Sequence, residues 1–240
     1  MELERLAENL DRWDVLASTY EVGIEEYDDL DGAIRLLTRL AEVYEQKLQD
    51  PDGAIDSYGR LANLDEGQTD ALDELIRLLG DAHRYEELVD ILCRRVEKLE
   101  EASERRVMYC RIASLQEEQL EEPDEAIIAY RKAYEEDPDA LGTIDHLIRL
   151  YTKRERWAES ADALRDKLEL LEDGAEQRTV YTQLAALMDG QLQDANEAIN
   201  HLQSALDVDP TDTAIFDRLC GLYEREGQWQ ALMDLLEQQQ

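Results

Sequence analysis

Three groups of residues could do chemistry by type. Asp28, Asp29, Asp31 and Gly32 form an acidic run closed by glycine, superficially like part of a calcium loop. Their spacing does not follow the alternating oxygen ligands that a calcium loop needs. The run reads instead as the turn that starts a helix. His83, His146 and His201 lie far apart and keep no metal-ligand spacing, so they read as surface or boundary histidines. Cys93, Cys110 and Cys220 stand at unrelated intervals and form neither a disulfide framework nor a ligand set. Reduced, partly buried thiols are expected, which favours the cytoplasm. A phosphate-cradling glycine loop, a Gly-x-Ser-x-Gly elbow and a His-Glu-x-x-His pair are all missing from the sequence. With 59 Asp and Glu among 240 residues, close pairs of carboxylates arise by chance. No catalytic, cofactor or metal site is expected.

The elements that would position any functional residue repeat every 72 residues. Pro51-Asp-Gly-Ala-Ile-Asp-Ser-Tyr58 returns as Pro123-Asp-Glu-Ala-Ile-Ile-Ala-Tyr130 and again as Ala195-Asn-Glu-Ala-Ile-Asn-His-Leu202. Trp13, Tyr85, Trp157 and Trp229 keep the same interval. A fixed period of this kind belongs to stacked repeats. Ile144, Leu147, Ile148 and Tyr151 make the i, i+3, i+4, i+7 stripe of a helix with one buried face. Leu72, Leu75, Ile76, Leu79 and Phe216, Leu219, Cys220, Tyr223 hold it one period to either side. No stretch alternates for long enough to make a strand, so the fold class is all-α.

Each period divides into a helix pair of 34 residues and one of 38. The pairs fall at 30–67, 68–101, 102–139, 140–173 and 174–211, with incomplete ones at 1–29 and 212–240. In 140–173 the first helix is expected from about Ala140 to Lys153, with Arg154-Glu-Arg turning the chain into Trp157. Asp137-Pro138-Asp139 and Asp209-Pro210-Thr211 punctuate the junctions, with Asp65-Glu66-Gly67 in the same place. The longer pairs extend their inner turns, Gln116–Glu122 and Asp189–Asp194.

These helix pairs resemble the tetratricopeptide repeat, in a divergent bacterial-type array. The resemblance rests on Ala126, Tyr130, Ala133, Pro138 and on Ala198, Leu202, Ala205, Pro210 in second helices, and on Ile144, Leu147, Ile148 and Tyr151 in a first helix. Ile76 and Ile148 are larger than the family's usual small residue, and Leu88 and Ser160 replace its usual Ala. The resemblance covers the whole chain. It implies a right-handed superhelix of about seven helix pairs and a non-enzymatic role in binding a peptide or partner protein. It also implies that exposed first-helix positions face the concave groove where peptides lie. Those positions carry Arg5, Asp73, Arg77, Asp145, Arg149, Asp217 and Glu224, the candidate binding residues. One reading makes them a ladder offering charge-assisted contacts to a peptide. Another makes each Asp an i, i+4 partner of the Arg after it, worth about 0.2–0.5 kcal/mol. A third has them bridge neighbouring repeats. Family members that grip a C-terminal carboxylate do so with Lys and Asn, which Asp145, Arg149 and Asp217 do not supply.

Charge narrows the partner. The chain carries 59 acids and 25 bases, net −34, and only five of the bases are Lys. A nucleic-acid backbone or an anionic membrane surface needs a basic footprint, so neither is expected as a partner. The acidity suits a solvated face adapted to salt, or a face that recruits a basic partner. Nothing approaches the apolar length of a membrane span, and Met1–Leu6 does not read as a signal peptide. Met1 falls inside the first helix of a pair and Gln240 inside a second helix, with no polar cap at either end. The chain is therefore expected to be a segment of a longer array. A further reading is self-association by end-to-end stacking through uncapped faces; another is the docking or regulatory segment of a larger enzyme or signalling protein.

Overall fold

A helix with one apolar stripe needs a neighbour to cover it, and consecutive helices supply that cover here. A computed structural model describes residues 2–26, 29–65 and 69–238. Asp28, Glu66 and Gly67, together with the two chain ends Met1 and Gln240, lie outside the described residues. The helices are α1 Glu2–Leu10, α2 Trp13–Glu26, α3 Leu30–Val43, α4 Pro51–Leu64, α5 Thr69–Asp81, α6 Tyr85–Val96 and α7 Ala102–Glu118. They continue as α8 Pro123–Glu136, α9 Leu141–Lys153, α10 Trp157–Leu170, α11 Gly174–Leu187, α12 Ala195–Val208, α13 Thr213–Arg225 and α14 Trp229–Gln238. No strand occurs among the described residues. The all-α repeat fold expected from the periodicity is the one observed.

The period is visible in the helix starts. Trp13, Tyr85, Trp157 and Trp229 each open a helix, at α2, α6, α10 and α14. Pro51, Pro123 and Ala195 open α4, α8 and α12. Proline suits a first turn because its missing N–H would have no partner there. Asp29, Asp50, Asp194 and Asp212 accept hydrogen bonds from the opening amides of α3, α4, α12 and α13. Asp29 is thus a helix cap, in keeping with the helix-start turn expected there.

Turns obey the frame too. Asp11, His83, Glu155 and Gly227 take positive φ, at 48°, 56°, 56° and 68°, where four short first helices end. This left-handed step swings the chain out of the helix. Gln49, Glu121 and Gln193 do the same in the longer pairs, with φ of 52°, 56° and 55°. There the helix also widens before it stops. The amides of Asp50, Glu122 and Asp194 donate to the carbonyls of Tyr44, Gln116 and Met188, six residues back, at 2.9, 2.7 and 2.9 Å. Tyr44–Leu48 and Met188–Leu192 form π-helical turns on the way. That widening accommodates the extra residues of the 38-residue pairs.

The chain divides into two compact units, Met1–Ala126 and Ile127–Gln240, with the division inside α8. In the first unit each helix from α1 to α7 packs on the next. Leu37, Leu40, Leu75, Leu79 and Leu92 form its most deeply buried points. Gly53 lets α4 approach the Tyr44 ring, since a Cβ there would lie 2.6 Å from Cδ1. In the second unit α9 to α14 follow the same sequential packing. Leu164, Val180, Leu184, Leu202, Leu219 and Tyr223 belong to one core cluster. The first-helix stripes are buried as expected: Leu72, Leu75, Ile76 and Leu79 in one helix, Ile144, Leu147 and Tyr151 in the next, with Ile148 partly buried. The small residue missing at Ile76 and Ile148 is found in the longer pairs, where Ala41, Ala113 and Ala185 are all fully buried. Ser160 is also buried, and its hydroxyl lies 3.0 Å from that of Thr152, which satisfies it.

The aromatic markers differ in burial. Trp13, Tyr85 and Trp157 are half-buried, whereas Trp229 is 61% exposed. Helix α10 packs against both α9 and α11, which accounts for the cover on Trp157. Replacing Trp157 with alanine should cost about 2–4 kcal/mol, and the same change at Trp229 less than about 1 kcal/mol. Urea unfolding of the two variants, followed by circular dichroism, measures both.

Candidate partner-binding surfaces

Asp73 and Arg77 each follow a buried stripe residue, Leu72 and Ile76, by one position. A step of about 100° carries them to the exposed flank of α5. Asp145 and Arg149 occupy the same flank of α9, and all four are exposed. Arg5 is exposed on α1; Asp217 and Glu224 are exposed on α13. Asp217 and Glu224 share a flank with Cys220, whose thiol is pushed up by burial and then by these two carboxylates.

The second reading pairs each Asp with the Arg of its own helix. Asp73 instead accepts from Arg95 of α6, at 2.7 and 3.4 Å in a forked contact. Asp145 accepts from Lys167 of α10 at 2.6 Å. Both cations sit 22 residues ahead, on the second helix of the same pair, where a long side chain reaches straight across. Arg77 is held by Glu74 at 2.9 Å, by Asp81 at 3.6 Å and by Glu45 on the preceding π-helical turn. It therefore ties α5 to the pair before it, and Glu74 first, then Glu45, hold its guanidinium above the ordinary arginine range. Arg149 reaches His146 at 3.3 Å, and the His146 ring stacks on Tyr130 at 4.7 Å and 9°. Exposed pairs of this kind add little stability, about 0–1 kcal/mol each, but they fix side-chain direction.

Two clefts have no counterpart among the sequence expectations. One, of ≈ 720 Å³, lies among α4, α5 and α6, and the other, of ≈ 360 Å³, among α8, α9 and α10. They hold matching residues one period apart. Leu75 and Leu79 floor the first; Leu147 and Tyr151 floor the second. Arg84 forks onto Glu87 at 2.6 and 2.7 Å, and Arg156 onto Glu159 at 2.9 and 2.7 Å. Arg156 also lies over the Tyr151 ring, 5.1 Å from its centre. Asp90 and Asp162 stand at equivalent points on the rim. The signal is present in the sequence as Arg84-x-x-Glu87-x-x-Asp90 and its repeat Arg156-x-x-Glu159-x-x-Asp162. It is hidden because these residues are polar, whereas the period shows most plainly in apolar ones.

His83 Nδ1 lies 2.7 Å from the Tyr85 hydroxyl. The cysteines are free thiols. Among the described residues no group of three or more His, Cys, Asp or Glu is placed to hold a metal ion, and no helix is long and apolar enough to cross a membrane.

Fold and sequence agree on the class. A family model described as tetratricopeptide repeat matches residues 6–231, and the chain belongs to that family. Among solved structures it is similar to YrrB, described as a TPR protein with an unusual peptide-binding site, at 16% identity and a TM-score of 0.41, over 84% of this chain and 98% of that one. It is also similar to the MamA protein, at 17% identity and a TM-score of 0.41, over 75% of this chain and 94% of the other. A third is a tetratricopeptide repeat protein from Parabacteroides merdae ATCC 43184, at 16% identity and a TM-score of 0.41, over 85% and 78% of the two chains. No curated protein matches.

His201 gives the second unit a pH response. Burial lowers its pKa below the ordinary 6.5, outweighing Glu197, which raises it, while Arg165 lowers it further. Its Nε2 is buried without a hydrogen bond, 3.6 Å from Glu197. The folded state thus prefers the neutral ring. Stability present above pH 6.5 is lost as pH falls toward the depressed value. Thermal melts of wild type and His201→Leu should therefore converge or cross on acidification, with the wild type losing more.

Proposed function

We propose that this chain is a non-enzymatic scaffold that binds a peptide segment of a basic partner protein on first helices of either unit. Each unit carries its own first-helix row, Asp73 and Arg77 on α5 in the first and Asp145 and Arg149 on α9 in the second. Arg5, Asp217 and Glu224 occupy the same flank of their own helices. One observation carries this reading: the exposed flank of α5 and that of α9 present the same Asp and Arg in the same frame. Arg95 and Lys167 hold the two Asp side chains in fixed directions, so less freedom is lost when a peptide binds. The net charge of −34 supports a basic partner, which it would steer toward the surface. Free thiols suit a cytoplasmic setting.

Fluorescence anisotropy with Lys/Arg-rich and Glu-rich peptide libraries tests the proposal. Basic peptides should bind, with affinity falling steeply between low salt and about 0.5 M. The double variant Asp73→Lys/Asp145→Lys should weaken them about tenfold or more. A flat salt response, or an unaffected double variant, would reject the basic-peptide reading.

A second reading, self-association, is favoured by α14. Trp229, Met233 and Leu236 are 61%, 55% and 47% exposed there, whereas Ala161 and Leu164 of α10, equivalent to the last two, are buried against α11. An apolar face of this kind suits a second copy. Sedimentation velocity in high salt, which screens the like charges, should show mass rising with concentration and not in Met233→Glu/Leu236→Glu. A monomer at every concentration would remove this reading.

A further inference from the structure

The two clefts face away from the proposed first-helix row. On α9, floor residues Leu147 and Tyr151 sit about 150° around the helix from Asp145 and Arg149, given about 100° per residue. Leu75 and Leu79 hold the same relation to Asp73 and Arg77 on α5. The clefts are thus a separate surface, and each combines an apolar base with an acidic rim. In the α8–α10 cleft four carboxylates stand against two arginines, and in the α4–α6 cleft four against three. One arginine of each cleft is already paired with a carboxylate of its own helix, Arg84 with Glu87 and Arg156 with Glu159. Asp166 accepts from the Tyr134 hydroxyl at 3.0 Å, which fixes the far wall of the second cleft. Asp162 is engaged by Arg165 through Oδ1, at 2.8 Å. Asp90 and Glu135 are exposed carboxylates at the rims.

We propose that each cleft receives a short peptide motif in which an apolar side chain lies next to Lys or Arg. The apolar side chain fills the base over Leu75 and Leu79, or over Leu147 and Tyr151, and displaces water held against apolar walls. The cation meets the rim carboxylates, Asp90 in one cleft and Asp162 in the other. Charge complementarity selects a basic motif, and the apolar base distinguishes it from a purely electrostatic ligand. Because the clefts are frame equivalents in separate units, the full chain holds two such motifs. This surface goes beyond the first-helix row and stands or falls apart from it.

The test uses amide chemical-shift mapping of the full chain with three capped tetrapeptides: Leu-Arg-Leu-Lys, Gly-Arg-Gly-Lys and Leu-Glu-Leu-Glu. The first should shift amides around Asp90 and around Asp162 with separate saturation curves, and the other two should bind at least about tenfold more weakly. Asp90→Lys should remove only the first set of shifts and Asp162→Lys only the second. Asp73→Lys/Asp145→Lys should leave both sets intact, although it weakens binding at the first-helix row. Equal binding of the glycine peptide would overturn the apolar base, and equal binding of the glutamate peptide would overturn the rim. Shifts confined to the first-helix row would overturn the site itself.

Discussion

An amphipathic helix of this chain cannot bury its own stripe, and every other feature depends on that. Fully burying one leucine contributes about 1.5–3 kcal/mol, but only where a neighbour closes over it. Leu75 and Leu79 of α5 reach nearly complete burial because α4 and α6 lie on either side. Close approach needs small residues, and Ala41, Ala54, Ala113, Ala185 and Ala198 are all fully buried. Stability in such an array is approximately a sum of terms between neighbours rather than the property of one central core. The unequal burial of Trp157 and Trp229 is the local expression of that dependence.

Cations are scarce in a chain with 25 bases and 59 acids, and they sit at junctions. Arg77 joins α5 to the preceding π-helical turn, Arg84 reaches Asp52 at 3.0 Å between α6 and α4, and Arg178 binds both Asp209 and Asp212 ahead of α13. Arg225 similarly ties α13 to Asp189 of the second π-helical turn. Each arginine therefore answers more than one carboxylate or links two helices. The surplus acids remain on open flanks and cleft rims, where they are available to something positively charged from outside.

The frame was legible because the chain repeats itself: the apolar stripe that begins at Ile144 recurs at Leu72 and at Phe216, and three copies of one pattern leave little room for accident. Helix starts at Trp157 and Pro123 followed from the same period, and so did the cap at Asp29. The ion pairs were not legible. Asp73 had Arg77 four residues away, yet it pairs with Arg95 on the next helix, while Arg77 is taken by Glu74, Asp81 and Glu45. Turn geometry was hidden for another reason. Left-handed residues are usually betrayed by glycine, but here Gly227 is one, whereas Asp11, His83 and Glu155 adopt the same backbone with side chains attached. The clefts lay in polar residues that apolar periodicity ignores.

The widened closures before Gln49, Glu121 and Gln193 set a rule for how this chain can change length. Helix α7 has 17 residues where α5 has 13, so a long pair differs from a short one by four residues. Four residues are close to one helical turn, and they rotate whatever follows by only about 40°. The stripe beyond the insertion still points inward. Adding two residues would turn it by about 200° and aim leucines at water. Length in this architecture is therefore quantised: pairs can grow or shrink by whole turns, and the phase of the buried face is what each step has to preserve.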